Sequence, residues 1–308
     1  LYLSVFLERL SLLTPPRWRR SRVAQAQDGY YVPHQSNWPI IGSVGMTALV
    51  VGIAMYLEAM PIALWVLGAG ALIMLSMVVG WFGDVIREGV KGLYSDQVDR
   101  SLRWGMIWFI FSEIMFFAAF FGALFYTRTL SVPWISGDDP ATSRLLWDSM
   151  VLSWPTAGPA NAGMEWQPMG PWPLPTINTL ILLTSGMTLT TAHHALKEGN
   201  RARLITFMWL TVALGTIFTG LQGYEYYEAY AHLNLRMDTG IYGSTFFMLT
   251  GFHGLHVVIG TIVLLVITLR CMKGHFTPQS HFGFEGAAWY WHFVDVVWLG
   301  LYIFVYIF

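Results

Sequence analysis

Apolar residues run through this sequence in long, uncharged stretches. Seven stand out, at 40–57, 61–82, 104–126, 174–192, 203–223, 241–269 and 287–308. A helix needs about 20 predominantly apolar residues to cross a bilayer. In hydrocarbon the backbone must satisfy its hydrogen bonds within the segment or around a closed barrel. Barrel strands would read as segments of about ten residues with period-2 alternation, and none is seen. The pattern therefore predicts an all-α integral membrane protein with seven transmembrane helices. The first two are separated only by the turn Glu58-Ala59-Met60-Pro61 and should form an antiparallel hairpin. The sixth is longer than the hydrocarbon requires, which predicts tilt or an extension beyond the lipid.

The loops supply the orientation. With seven crossings, the N-terminal tail, 83–103, 193–203 and 270–286 share one side, and of the seventeen Lys and Arg only Arg128, Arg144 and Arg236 fall on the other. Basic residues accumulate on the inner side, so the N-terminus is expected inside and the C-terminus outside. Composition agrees: 308 residues, 55% hydrophobic, 11% charged and mean hydropathy +0.51. Soluble domains carry about 25% charged residues. The net charge of −1 leaves no basic field for nucleic acid, and the single Cys271 excludes a disulfide framework, a cysteine zinc site and a cysteine-bound iron–sulfur cluster.

The chain divides into a basic extension at 1–28, an N-terminal segment with the hairpin at 29–82, an inner loop at 83–103 and the remaining five helices at 104–308. The first residues, with Arg17, Arg19, Arg20 and Arg22, fit either an inner-surface anchor or a presequence or start-site artefact. The inner loop is charged, with Asp84, Arg87, Glu88 and Lys91 at helical spacing, and is expected to be partly helical. The outer loop 127–173, rich in Pro, Gly and Trp, is expected to form a cap or a partner contact.

Ionisable groups at membrane depth are costly and are functional candidates by default. Glu113 lies nine residues after Trp104, about 13 Å along a helix and near the middle of a core about 30 Å thick. It is flanked by Phe109, Phe111, Phe116 and Phe117. Either it handles protons or it holds two helices together by a hydrogen bond. His253 and His256 stand at i and i+3 on the sixth helix at the same depth, and a contact with Glu113 is expected, more so for His256. Metal or haem ligation is the sharper alternative. His292 and Asp295 repeat this spacing on the last helix and could relay protons or only satisfy one another. His193, His194 and Glu198 read as interfacial. Trp38, Trp81, Trp104, Trp108, Trp289 and Trp291 read as an aromatic belt at lipid depth. Arg87, Arg103, Arg270 and Lys273 on the inner side suit anionic headgroups. Gly42, Gly45 and Gly52, and Gly251, Gly254 and Gly260, would let helices approach closely.

Beyond these readings, several runs resemble a known family. They are Pro33-His34-Gln35-Ser36, the run Trp81 to Glu88, Ser112-Glu113, Ala192-His193-His194, the run Tyr224 to Glu228, Ser244 to Phe247, Thr250 to Val257, His281 to Glu285 and Trp289 to Trp298. In this order and spacing they resemble subunit III of cytochrome c oxidase, over about residues 33–308. The resemblance implies a subunit of an aa3-type haem–copper oxidase. Haem and copper would sit in partner subunits and none in this chain. The main contact would be with oxidase subunit I, near the mouth of a proton-uptake pathway. It also implies that the first two helices splay from a five-helix bundle, forming a V-shaped cleft that holds phospholipids. Trp81, Arg87, Glu88, Trp104 and Arg270 are the candidate lipid contacts, and Glu113 falls on the family's buried reactive carboxylate. The implied role is supportive: sustaining proton uptake, protecting the catalytic centre during turnover and admitting oxygen through the lipid cleft.

Two departures accompany the resemblance. The stretch Gly92-Leu93-Tyr94-Ser95 lacks a histidine that the family often has near there. The 131–173 loop looks longer than in mitochondrial members, which favours a bacterial plasma membrane over a mitochondrial inner membrane. A quinol-oxidase subunit III is an alternative, disfavoured because such chains lack the first two helices. A membrane di-iron oxygenase is an alternative of another class, disfavoured because the histidines do not form clustered boxes. No metal is expected on this chain, since no ligand set converges in the sequence.

Overall fold

A computed structural model describes residues 35–139, 141, 142, 145, 153–161 and 163–308. The 1–28 extension, Pro33, His34 and Arg144 lie outside the described residues. Among the described residues there are seven long helices and no strand: α1 Trp38–Leu57, α2 Ala63–Val90, α3 Asp96–Tyr126, α4 Leu174–Lys197, α5 Arg201–Ala231, α6 Ile241–Met272 and α7 Phe282–Leu301. The inner loop is mostly helical, shared between the end of α2 and the start of α3. At 31 to 32 residues, α3, α5 and α6 are about 46–48 Å long and outrun the hydrocarbon. α3 continues through wide turns at Thr127–Ser131 and Trp134–Asp138, and α7 through one at Tyr302–Ile307.

The chain separates into two compact units at Leu102/Arg103. The first contains the α1–α2 hairpin. Glycine makes its close approach possible: a Cβ on Gly52 would sit 2.8 Å from Leu67 Cγ, and one on Gly70 2.8 Å from the Leu49 backbone nitrogen. The turn closes with the Met60 N–H donating to the Met55 carbonyl at 2.9 Å, around Ala59 at φ +54°. Gly199, at φ +73°, performs the same closure after α4, where the Asn200 N–H donates to the Ala195 carbonyl at 2.9 Å. The Asn200 side chain then caps α5 by accepting from the Arg203 N–H at 3.1 Å.

In the second unit α4, α5, α6 and α7 close into a ring, each packed on the next and α7 on α4. Within this unit α3 reaches α6 and α7 through long side chains, Phe116 against Phe252 and Phe117 against Phe293. The centre of the ring is Trp291. Its indole N–H donates to Ser185 Oγ at 2.9 Å, and a Cβ on Gly215 or Gly260 would come within 2.9 Å of its ring. Trp291 is fully buried, which corrects its assignment to the interfacial belt. Trp81, Trp104 and Trp108 are exposed as a belt requires. The outer loop packs on its own unit: the Gln167 N–H donates to Leu233 O at 3.0 Å, and Trp166 stacks on Tyr242.

Six of the seven helices are long and apolar enough to cross a membrane; α4 is the exception. Its 24 residues suffice in length, but it is rich in hydroxyls. The sequence pattern flagged it because it lacks charge, and its polarity comes from Thr and Ser instead. Thr176, Thr179, Thr184, Ser185, Thr188, Thr190 and Thr191 each donate back to a carbonyl three to five residues earlier. Hydroxyls satisfied in this way are compatible with an apolar environment.

Candidate functional site

α3 and α6 bring Glu113 and His256 together. The Glu113 carboxyl lies 3.0 Å from His256 Nε2, and His256 Nδ1 lies 2.6 Å from the Phe252 carbonyl one turn back. A carbonyl only accepts, so Nδ1 carries a proton. Nε2 therefore either accepts from a protonated Glu113 or, in an imidazolium, donates to its carboxylate. In both forms the pair shares one proton across a single hydrogen bond. Phe116, Phe117 and Tyr290 surround the imidazole, with the Phe117 ring centroid 5.1 Å away. The Glu113 side chain keeps 21% of its surface, less buried than a midplane carboxyl surrounded by Phe would suggest.

His253, one turn earlier, serves a different neighbour. Its Nε2 donates to the Val294 carbonyl of α7 at 3.2 Å, and its ring is buried against Phe218 and Trp298. Although i and i+3 share a broad face, His253 points into the ring of helices and His256 out towards α3, so the two do not converge on one ligand. On α7, His292 Nδ1 lies 3.4 Å from Asp295 Oδ2 and Nε2 3.4 Å from Thr190 Oγ1 of α4. Asp295 is buried with Oδ1 unpartnered, while 44% of the His292 side chain is exposed.

Two further carboxylates were not singled out from the sequence. Glu225 of α5 is fully buried and accepts from the Tyr306 hydroxyl at 2.6 Å. The run Tyr224 to Glu228 carried it, but its place on the ring-facing side of α5 depends on α7 running as far as Tyr306. Glu285, in the first turn of α7, pairs with Arg103 of α3 and lies 3.2 Å from His281 Nε2 and 3.9 Å from His193 Nε2. The i, i+4 spacing of His281 and Glu285 was the available signal. Ligand atoms of His193, His281 and Glu285 fall within 4.8 Å of one another, so a potential donor set does converge, contrary to the sequence expectation. Arg103 already neutralises Glu285, which suits an internal ion pair better than a dication.

The lipid-contact candidates divide between the units. In the first, Trp81 is exposed, Arg87 pairs with Asp84, the Trp38 indole N–H donates to Asp84 at 2.8 Å, and the Tyr94 hydroxyl donates to Glu88 at 3.0 Å. In the second, Trp104 is exposed, and the Arg270 guanidinium lies over the Phe276 ring at 4.4 Å.

A family model described as cytochrome c oxidase subunit III matches residues 28–138 and 146–308. The chain belongs to the cytochrome c oxidase subunit III family. Cytochrome c oxidase subunit 3 of Squalus acanthias is 42% identical over 285 residues, covering 92% of this chain and 98% of the relative. The proteins of the same name from Dugong dugon, 42% identical over 278 residues (90% and 96%), and Formosania lacustris, 41% over 285 residues (92% and 98%), are similarly close. This multi-pass membrane protein is thus part of an oxidase complex. The match takes in Glu113, His253, His256, His292, Asp295 and Glu285, and the α1–α2 hairpin, whose presence disfavoured the quinol-oxidase alternative.

Proposed function

We propose that this subunit III supports a proton-pumping cytochrome c oxidase, in which partner subunits reduce oxygen to water, and carries no redox centre itself. On this reading it packs against oxidase subunit I, sustains proton uptake, preserves the catalytic centre during turnover, and holds phospholipid between the α1–α2 hairpin and the other helices. The observation that carries the reading is how the mid-membrane imidazoles are engaged. His253 is committed to Val294 O, His256 to Phe252 O and Glu113, and His292 to Asp295. Groups committed to the packing of their own chain stabilise a bundle and leave haem and copper to the partners.

The topology proposed is seven crossings with the N-terminus inside and the C-terminus outside, supported by the bias of Lys and Arg between the loops. A bacterial plasma membrane is proposed, supported by the length of the outer loop 131–173, within which the family match leaves out residues 139–145. The test is elemental and optical analysis of the complex before and after this chain is stripped from it. All haem and copper should remain with the other subunits. Haem absorbance or stoichiometric copper, iron or zinc in the isolated chain would overturn the proposal.

A further inference from the structure

Buried polar atoms without partners gather in one part of the ring of helices. Among the described residues eleven buried side-chain nitrogens and oxygens make no hydrogen bond, and six of them sit on four side chains: Asn178 Nδ2 and Oδ1 on α4, Gln222 Nε2 and Oε1 and Glu225 Oε2 on α5, and His253 Nδ1 on α6. None of these four residues is more than 6% exposed. An unpaired polar atom in a protein interior is costly, and folded proteins seldom collect several together.

Packing brings the four to a common depth. α4 and α5 run antiparallel from the turn at Gly199, and the Thr188 and Thr211 hydroxyls meet across them at 2.8 Å. Asn178 lies ten residues from Thr188 and Gln222 eleven from Thr211, both away from that turn, so the two stand level to about 2 Å at the helical rise. The Tyr226 hydroxyl of α5 meets Thr250 Oγ1 of α6 at 2.7 Å, which sets His253 within a turn of Gln222. The His253 ring also lies against Phe218, one turn before Gln222. Glu225 follows one turn after it, and Gln222 is close enough to act on Glu225 and on the Tyr306 hydroxyl bonded to it, though no well-aligned bond forms. Above them the Tyr242 hydroxyl bonds to the Met169 backbone within electrostatic reach of Glu225, and Trp166 stacks on Tyr242. The loop thus closes this end of the ring.

We infer that Asn178, Gln222, Glu225 and His253 form an internal site for a small cluster of water molecules, enclosed by α4, α5 and α6 beneath this loop. Water fits because donors and acceptors are mixed. Each amide offers both N–H groups and a carbonyl, whereas His253 Nδ1 only accepts, since Nε2 donates its proton to the Val294 carbonyl. A cation would engage the oxygens and leave the Asn178 and Gln222 N–H groups unpaired. A water molecule donates and accepts, and a buried one makes about three hydrogen bonds, so about two molecules serve these six atoms. Polar side chains at membrane depth face protein or water, and these face the inside of their own bundle. The inference goes beyond the supportive role and does not depend on it.

The test is a high-resolution density map of the whole oxidase, joined to a pair of variants. The map should show separate peaks between these side chains, each about 2.7–3.2 Å from at least two of the six atoms. Side chains bonded directly to one another with no peak between them would overturn the inference. So would a single peak about 2.3–2.6 Å from several oxygens, which would mark a cation. In the same oxidase, Asn178→Leu and Gln222→Met should each shorten the half-time for thermal loss of this subunit roughly tenfold. Together they should cost clearly less than the product of the two, because one shared bridge is lost only once. Losses that multiply in full, or single variants as durable as the wild type, would contradict a shared water site. Either failure would leave the supportive role in the complex untouched.

Discussion

Glu113 and His256 each remove the other's reason to be costly at membrane depth. Because the Phe252 carbonyl holds a proton on Nδ1, Glu113→Gln can donate its amide N–H to Nε2 and keep the link between α3 and α6. The oxidase carrying Glu113→Gln should therefore consume oxygen and pump protons at close to wild-type rates, with any deficit in assembly or in activity lifetime. A fully assembled Gln variant that no longer pumps would assign Glu113 a proton-carrying role instead. Glu113→Leu leaves His256 without its partner, a loss of about 1–3 kcal/mol, and should lower the thermal stability of the subunit. Tyr306→Phe removes the hydroxyl donated to the buried Glu225 and should cost a similar 1–3 kcal/mol, read as a lower melting temperature with unchanged haem content. Equal depth along two helices was enough to pair Glu113 with His256 from sequence. Glu225 and Glu285 were harder to find, because their partners Tyr306, Arg103 and His193 lie far along the chain and meet them only through packing between helices: α5 with the segment after α7, α3 with α7, and α4 with α7. Trp291 misled for the opposite reason, since a tryptophan near a helix end reads as a belt residue unless Gly215 and Gly260 are known to face it.

Each helix shows which local features the sequence could reveal. Uncharged length gave all seven helices, but hydrocarbon-crossing length understates them: α5 and α6 continue for several residues past the lipid, where amphipathic or polar turns still gain backbone hydrogen bonds. α4 shows the limit most clearly, since its hydroxyls look polar in composition and are apolar in effect once bonded to their own carbonyls. The hairpin offers direct tests. Ala59 occupies a left-handed conformation that costs an L-residue about 1–2 kcal/mol, whereas the corresponding turn after α4 has Gly199. Ala59→Gly should raise the thermal midpoint of the subunit, and no gain would mean that the turn relaxes. Gly70→Leu must push the α1 backbone away at Leu49, an overpacking loss of about 1–3 kcal/mol, and should show as protease cleavage between Leu57 and Ala63 that the wild type resists.

The whole molecule is a subunit of an oxidase, and its proposed part there is to keep the catalytic subunits competent. Orientation is open to a direct check: a reporter fused after Phe308 should be reached by impermeant reagents from outside the cell, and one in the 193–203 loop should not. Labelling of both from one side would break the seven-crossing topology. The measurement that bears most directly on the supportive role follows oxygen consumption over many turnovers by the purified oxidase with this chain present, removed and added back. The account predicts the same haem and copper content in all three, near-normal initial turnover without the chain, faster loss of activity as turnovers accumulate, and recovery of the lifetime on readdition. Loss of haem or copper on removal, or an activity lifetime that does not depend on the chain, would contradict it.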